Sequence, residues 1–282
     1  VTYFGFLAQF LGIPIVLLAV LTWLDRRRGR AWPTALSGWP AWSVLLGHMG
    51  VALVYTTPWD NYLVATGVWW YNPALVTGLV IGWVPIEEYT FFILQPLLTG
   101  LWLFYLARRL PVEPRSQPIP WSIRLTLLAS LGTLWLGTVA ILALGWKPGI
   151  YLALILVWAL PPVMFQVGFG LDILWRHRRL IGLTLTSITL YLSLADTLAI
   201  GSGTWTIDPA QSLQIYLGGI LPIEEFIFFL MTNVLLVFGV ILVLAKESQS
   251  RITPELRQRL RRLFGLNIQQ GNRYEADSNH YS

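Results

Sequence analysis

The 282-residue chain has no cysteine. That excludes a disulfide framework, thiolate chemistry and a zinc–thiolate site. Its three histidines, at 48, 177 and 280, are too scattered for a His cluster, so no metal site is expected. Neither G-x-G-x-x-G nor G-x-x-x-x-G-K-[ST] occurs, so dinucleotide and P-loop readings lack their signature. Charge is scarce too. Only 12% of residues are Asp, Glu, Lys or Arg, against about 25% in a soluble domain. An ordinary cytosolic enzyme, a disordered chain and a secreted disulfide scaffold are all ruled out. What fills the chain is apolar: 55% hydrophobic residues and a mean hydropathy of +0.61. The expected class is an all-α, polytopic membrane protein.

Seven apolar runs are candidate membrane helices, roughly 3–24, 41–58, 76–107, 122–144, 150–174, 180–195 and 213–245. About 20 such residues cross the hydrocarbon, and a helix satisfies its own backbone there. The first run has no basic residue before it and Asp25-Arg26-Arg27-Arg28-Gly29-Arg30 directly after it. That is the charge order of an anchor with its N-terminus outside, not of a signal peptide. Of the 19 Lys and Arg, all but Lys147 fall after the first run, between the third and fourth, between the fifth and sixth, or after Ala245. The positive-inside rule makes that side cytoplasmic. The net charge of +5 therefore reflects topology and contact with anionic lipid heads, and no nucleic-acid partner is implied. In the polar tail, 246–282, Pro254–Phe264 spaces Leu256, Leu260, Leu263 and Phe264 among arginines, as a surface amphipathic helix or a frayed basic tail. The last residues read as disordered.

An internal repeat carries the most information. Tyr55, Asp60, Gly67, Trp69 and Pro73 recur 136 positions later as Tyr191, Asp196, Gly203, Trp205 and Pro209. One residue is then added, and Pro85-Ile86-Glu87-Glu88-Tyr89-Thr90-Phe91-Phe92 recurs as Pro222-Ile223-Glu224-Glu225-Phe226-Ile227-Phe228-Phe229. The expected organisation is a first repeat over 1–110, a connector with the fourth helix over 111–149, a second repeat over 150–245, and the tail. Three helices plus one connector make an even number of crossings. The repeats then share an orientation, and a site between them is expected.

Glu87, Glu88, Glu224 and Glu225 lie inside apolar runs, where each acidic residue costs roughly 2.5–3.5 kcal/mol at mid-helix. Such groups are functional by default. Proline is favoured at the first helical position, so helices starting at Pro85 and Pro222 would place the glutamates in the first turn. Residues 76–84 and 213–221 then become re-entrant or half-helical segments; the rival is one long helix kinked at the proline. At i+4 spacing Glu87, Glu88, Glu224 and Glu225 share faces with Phe91, Phe92, Phe228 and Phe229. A carboxyl kept from water favours its neutral form, while a helix N-terminus favours the anion. A neutral glutamic acid can donate a proton, and aromatic faces beside it can stabilise a cation. These are the parts of acid-initiated carbocation chemistry on a polyene. Asp60 and Asp196 recur in register and are candidate partners, second acid/base groups or helix caps. Asp172 is expected to pair with Arg176 at i+4, and Gln95, Gln166 and Asn233 to bond between helices.

The doubled P-I-E-E–FF motif, each copy preceded by an Asp…Gly-x-Trp loop, resembles the FAD-independent, integral-membrane lycopene cyclase family, in its fused tandem form. The resemblance covers about residues 1–245. It implies catalysis by Glu87, Glu88, Glu224 and Glu225; Asp60 and Asp196 are further catalytic candidates on the strength of the repeat alone. The candidate substrate site comprises Pro85 and Pro222 of the motif and the recurring aromatics Phe91, Phe92, Phe228, Phe229, Trp69 and Trp205. The implied reaction is the redox-neutral cyclisation of the ψ end groups of lycopene to β-ionone rings, without cofactor, in the cell membrane, with other carotenoid-pathway enzymes as candidate partners. Alternatives from the same residues are cyclisation of a C50 carotenoid and a proton-coupled transporter. The Asp-rich magnesium motif of a prenyl-transferring enzyme is absent.

Overall fold

The structure, a computed structural model, describes residues 1–112, 119–255 and 258–259. Seven long helices dominate it: α1 (Tyr3–Arg27), α2 (Ala41–Ala65), α3 (Ile86–Ala107), α4 (Trp121–Leu144), α5 (Ile150–Arg176), α6 (Arg178–Gly201) and α7 (Ile223–Leu244). Four of them begin directly after a proline in extended conformation: Pro40, Pro85, Pro120 and Pro222. Gly145, left-handed at φ 64°, closes α4. Six helices are long and apolar enough to cross a membrane, as befits an all-α polytopic membrane protein. The exception is α2, which carries His48, Thr56, Asp60 and Asn61. The amphipathic segment expected at Pro254–Phe264 lies largely outside the described residues.

Two expectations are corrected. Residues 76–84 and 213–221 are neither re-entrant helices nor the first half of kinked ones. They hold β-hairpins, β2 (Val80–Ile81) with β3 (Val84–Pro85) and β5 (Tyr216–Leu217) with β6 (Leu221–Pro222), while β1 (Trp69–Tyr71) and β4 (Trp205–Ile207) precede them in the two halves. Gly82 and Gly219 turn at φ 68° and 75°, a conformation that stops a helix. The hairpin residues Leu79, Ile81, Trp83 and Ile215 are exposed, so their apolarity marks an outward face and not a span. Pro85 and Pro222 accordingly cap their helices from outside and are not the first helical residues. The second correction concerns Asp172, whose cations come from other segments: Arg124 at 3.0 Å, and Arg251. Arg176 pairs with Glu247.

The halves meet about a local two-fold. β1 pairs antiparallel with β4, and the central partners Trp70 and Thr206 stand at equivalent places in the two repeats. Each half also reaches into the other. Pro14 and Pro162 remove the helical N–H that the carbonyls of Phe10 and Trp158 would otherwise accept. The repeated tyrosines replace it: Tyr191 donates to the Phe10 carbonyl at 2.9 Å, and Tyr55 to that of Trp158 at 2.8 Å. Deeper in the bundle, Gln95 and Thr99 both donate to Asn233 Oδ1 at 2.8 Å, and Asn233 Nδ2 donates to Thr189 at 3.1 Å. Asn233→Leu strands three buried partners. It is expected to lower stability by roughly 1–3 kcal/mol, read as a lower thermal midpoint of the purified protein in detergent. An unchanged midpoint would show that the cluster contributes nothing.

Candidate active site

The two glutamates of each motif stand in different surroundings. α3 and α7 start where the hairpins end, so both pairs sit in a first helical turn. Glu87 Oε1 accepts the Thr77 N–H at 2.6 Å, and Glu224 Oε1 accepts the Leu213 N–H at 2.7 Å. The donors are again 136 positions apart. The first glutamate of each pair thus latches the loop before it onto the helix. The next residue lies about 100° further round, and there Glu88 and Glu225 face one cavity between the halves.

That cavity is walled by Glu88, Glu225 and Asp196 and otherwise by apolar and aromatic side chains; among the described residues no Lys, Arg or His lines it. Glu88 Oε2 accepts hydrogen bonds from the hydroxyls of Tyr3 and, at 3.1 Å, Tyr71. Glu225 Oε1 accepts one, from Tyr151 at 2.6 Å. In both cases the other carboxylate oxygen is left out of these bonds. The tryptophans cross over: Trp69 of the first half packs edge-on against Tyr151 at 5.4 Å, and Trp205 of the second against Tyr3 at 4.9 Å. Trp205 Nε1 also donates to Asp196 Oδ1 at 3.0 Å. The matching bond in the first half is missing. Trp69 Nε1 and both oxygens of the fully buried Asp60 have no hydrogen-bond partner among the described residues.

Of the residues singled out from the sequence, Glu88, Glu225, Asp196, Phe91, Phe228, Phe229, Trp69 and Trp205 are brought together on this one wall. Glu87 and Glu224 stand behind it as latches. Asp60 is buried within electrostatic reach of Glu88 and Glu225 but is not on the lining. Phe92 lines a neighbouring cavity, and Pro85 and Pro222 end the hairpins. Sequence reasoning missed the three tyrosines. A signal existed for two of them, because α1 and α5 repeat with an offset of 148, which pairs Tyr3 with Tyr151, Phe10 with Trp158 and Pro14 with Pro162. Tyr71 has no such twin, since Ile207 occupies its place.

Chemically, the wall offers carboxyls that can give and take a proton, set among aromatic faces that can stabilise a transient cation. Comparison with known proteins gives the chain a family. The sequence model of the lycopene cyclase family matches residues 2–106 and 148–244. A lycopene beta-cyclase of Halobacterium salinarum is 39% identical over 242 residues, covering 86% of this chain and 95% of that protein. Bifunctional lycopene cyclase/phytoene synthases of Aspergillus niger and Gibberella fujikuroi are 37% and 34% identical over 200 and 197 residues, and in both cases 68% of this chain matches 33% of the relative. No solved structure matches the chain.

Proposed function

Because this chain belongs to the lycopene cyclase family, we propose that it is a lycopene β-cyclase working at a single cavity between its two repeats. The observation that carries this is the meeting of Glu88 and Glu225, one from each motif, on one aromatic wall without a cationic side chain. One carboxyl, protonated, gives its proton to the terminal double bond of a ψ end group. The neighbouring double bond attacks the resulting tertiary cation and closes a six-membered ring. The second carboxyl, as the anion, removes a ring proton. The substrate gains one proton and loses one, so neither oxidant nor reductant is needed.

The hydrogen bonds support a division of labour. Donors to a carboxylate favour its charged form. Glu88 has two phenols and Glu225 one, so Glu225 is the acid and Glu88 the base. Tyr3, Tyr71 and Tyr151 are positioning residues. Asp196, on the same wall and within electrostatic reach of both glutamates, returns the proton between turnovers. We place the enzyme in the cell membrane with its arginine-rich end in the cytoplasm.

The test is expression in a bacterial host that accumulates lycopene, with chromatography of the pigments. Loss of lycopene and gain of β-ringed products is expected. Lycopene that persists beside folded, membrane-inserted protein would overturn the reading.

A further inference from the structure

A second cavity lies deeper in the bundle, next to the first, and shares two walls with it: Phe91 and Phe228 line both. These phenylalanines hold equivalent places in the two motifs. Below them the second cavity is lined by Gln95 and Thr232, also equivalent by position, and by Ala52 and Thr56 of α2. Gln95 is seven residues beyond Glu88, about 10 Å along α3. The volumes differ in a telling way. The carboxyl cavity holds about 40 Å³ and the second about 210 Å³. The first accommodates about three waters, so an end group that meets the glutamates needs more room than it holds, and a shift of the shared walls Phe91 or Phe228 would join the two spaces.

The second cavity also reaches the outside of the bundle. Val51, Tyr55 and Trp158 line both it and a groove on the outer surface between α2 and α5. Val51 and Val54 in that groove are 65% and 74% exposed. The groove is open: Gly47 and Gly50 form part of its floor, and a Cβ at either would meet nothing within 4 Å. Tyr55, stacked on Trp158 at 5.5 Å and bonded to its carbonyl, stands at the junction. An apolar path thus runs from the membrane-facing surface, past Tyr55, to the phenylalanines in front of the glutamates.

Resting on the cyclase reading, we propose that the polyene enters sideways from the bilayer between α2 and α5, and that its unreacted length lies in the second cavity and this groove while one end group reaches Glu88 and Glu225. A polyene of forty carbons is far longer than the carboxyl cavity, so most of it must lie elsewhere; this is the space continuous with the wall it reacts at.

Two substitutions block the path at separate places. Thr232→Trp fills the second cavity. Gly50→Phe obstructs the groove from the outer surface, where an added Cβ meets nothing within 4 Å. Leu136→Trp, on the exposed face of α4, is the control. Membranes carrying each form are assayed with lycopene and with a shortened polyene that keeps one ψ end group. Wild type and Leu136→Trp are expected to convert both. Both blocking variants should convert lycopene at least roughly tenfold more slowly and lose much less on the short substrate. Wild-type rates on lycopene for Gly50→Phe and Thr232→Trp overturn the route and leave the cyclase reading standing. Equal loss on long and short substrates in membrane-inserted protein also overturns it. A wild type inert on both substrates overturns the cyclase reading and the route together. Glu225→Gln protein purified from lycopene-accumulating cells should carry lycopene in the second cavity; phospholipid alone would assign that space to an acyl chain and overturn the proposal.

Discussion

Glu225→Gln is expected to leave lycopene uncyclised, its conversion down roughly 10²–10⁴-fold, the usual range for loss of a positioned proton donor. The amide is isosteric and its oxygen can still accept the Tyr151 hydroxyl, so the wall keeps its shape while the acidic proton is gone. Glu88→Gln should fail differently. The acid is intact and the cation forms, but the group that selects the departing proton is missing. Which proton leaves decides between β, ε and γ rings. Glu88→Gln should therefore give slow turnover with a mixed set of rings, where Glu225→Gln gives unreacted lycopene. Chromatography of pigments, with the protein quantified in the membrane fraction, separates the cases. Mixed rings from Glu225→Gln and unreacted lycopene from Glu88→Gln would exchange the assigned roles. Wild-type conversion by either would remove that carboxyl from the mechanism.

Much of this arrangement is legible in the residues, and the parts that are not have physical reasons. The seven helices and the site between halves follow from apolar runs and from a doubled motif whose members keep their spacing. The hairpins do not, because Leu79, Val80, Ile81 and Trp83 are as apolar as a helix and reveal their shape only through Gly82 and Pro85. The separate surroundings of Glu87 and Glu88 are invisible in a repeat, since both recur equally. A rotation of about 100° per residue and the position of the Thr77 amide separate them. The tyrosines escaped for a simpler reason. Tyr3 and Tyr151 repeat with offset 148, not 136, because the two halves differ in length between the first helix and the second, and Tyr71 has no twin at all. That first helix reads as a plain anchor until Tyr3 is seen beside Glu88. The partners of Asp172 are remote in sequence, and local i+4 reasoning cannot find them.

Glu87→Leu and Glu224→Leu are expected to reduce cyclisation by about 10²-fold without touching the reacting atoms. Each removes the acceptor that holds a loop amide at 2.6 or 2.7 Å, a charge-assisted bond worth about 1.5–3 kcal/mol. The hairpin it latches ends at the proline that caps the helix, one turn from the catalytic carboxyl. Releasing it moves Glu88 or Glu225, and a misplacement of about 1 Å at a reacting group can cost 10²-fold. The glutamine variants decide whether this is latching or chemistry. An amide oxygen still accepts Thr77 or Leu213, so Glu87→Gln and Glu224→Gln should stay within roughly tenfold of wild type. The residual loss reflects the new NH2, placed where Oε2 of both residues is buried without a partner. Proteolysis at the hairpins should follow the same order, fast in the leucine variants and slow in the glutamine ones. If Glu87→Gln stops turnover as completely as Glu88→Gln while the hairpin stays protected, the first glutamates take part in proton transfer, and the division into latch and acid/base is wrong.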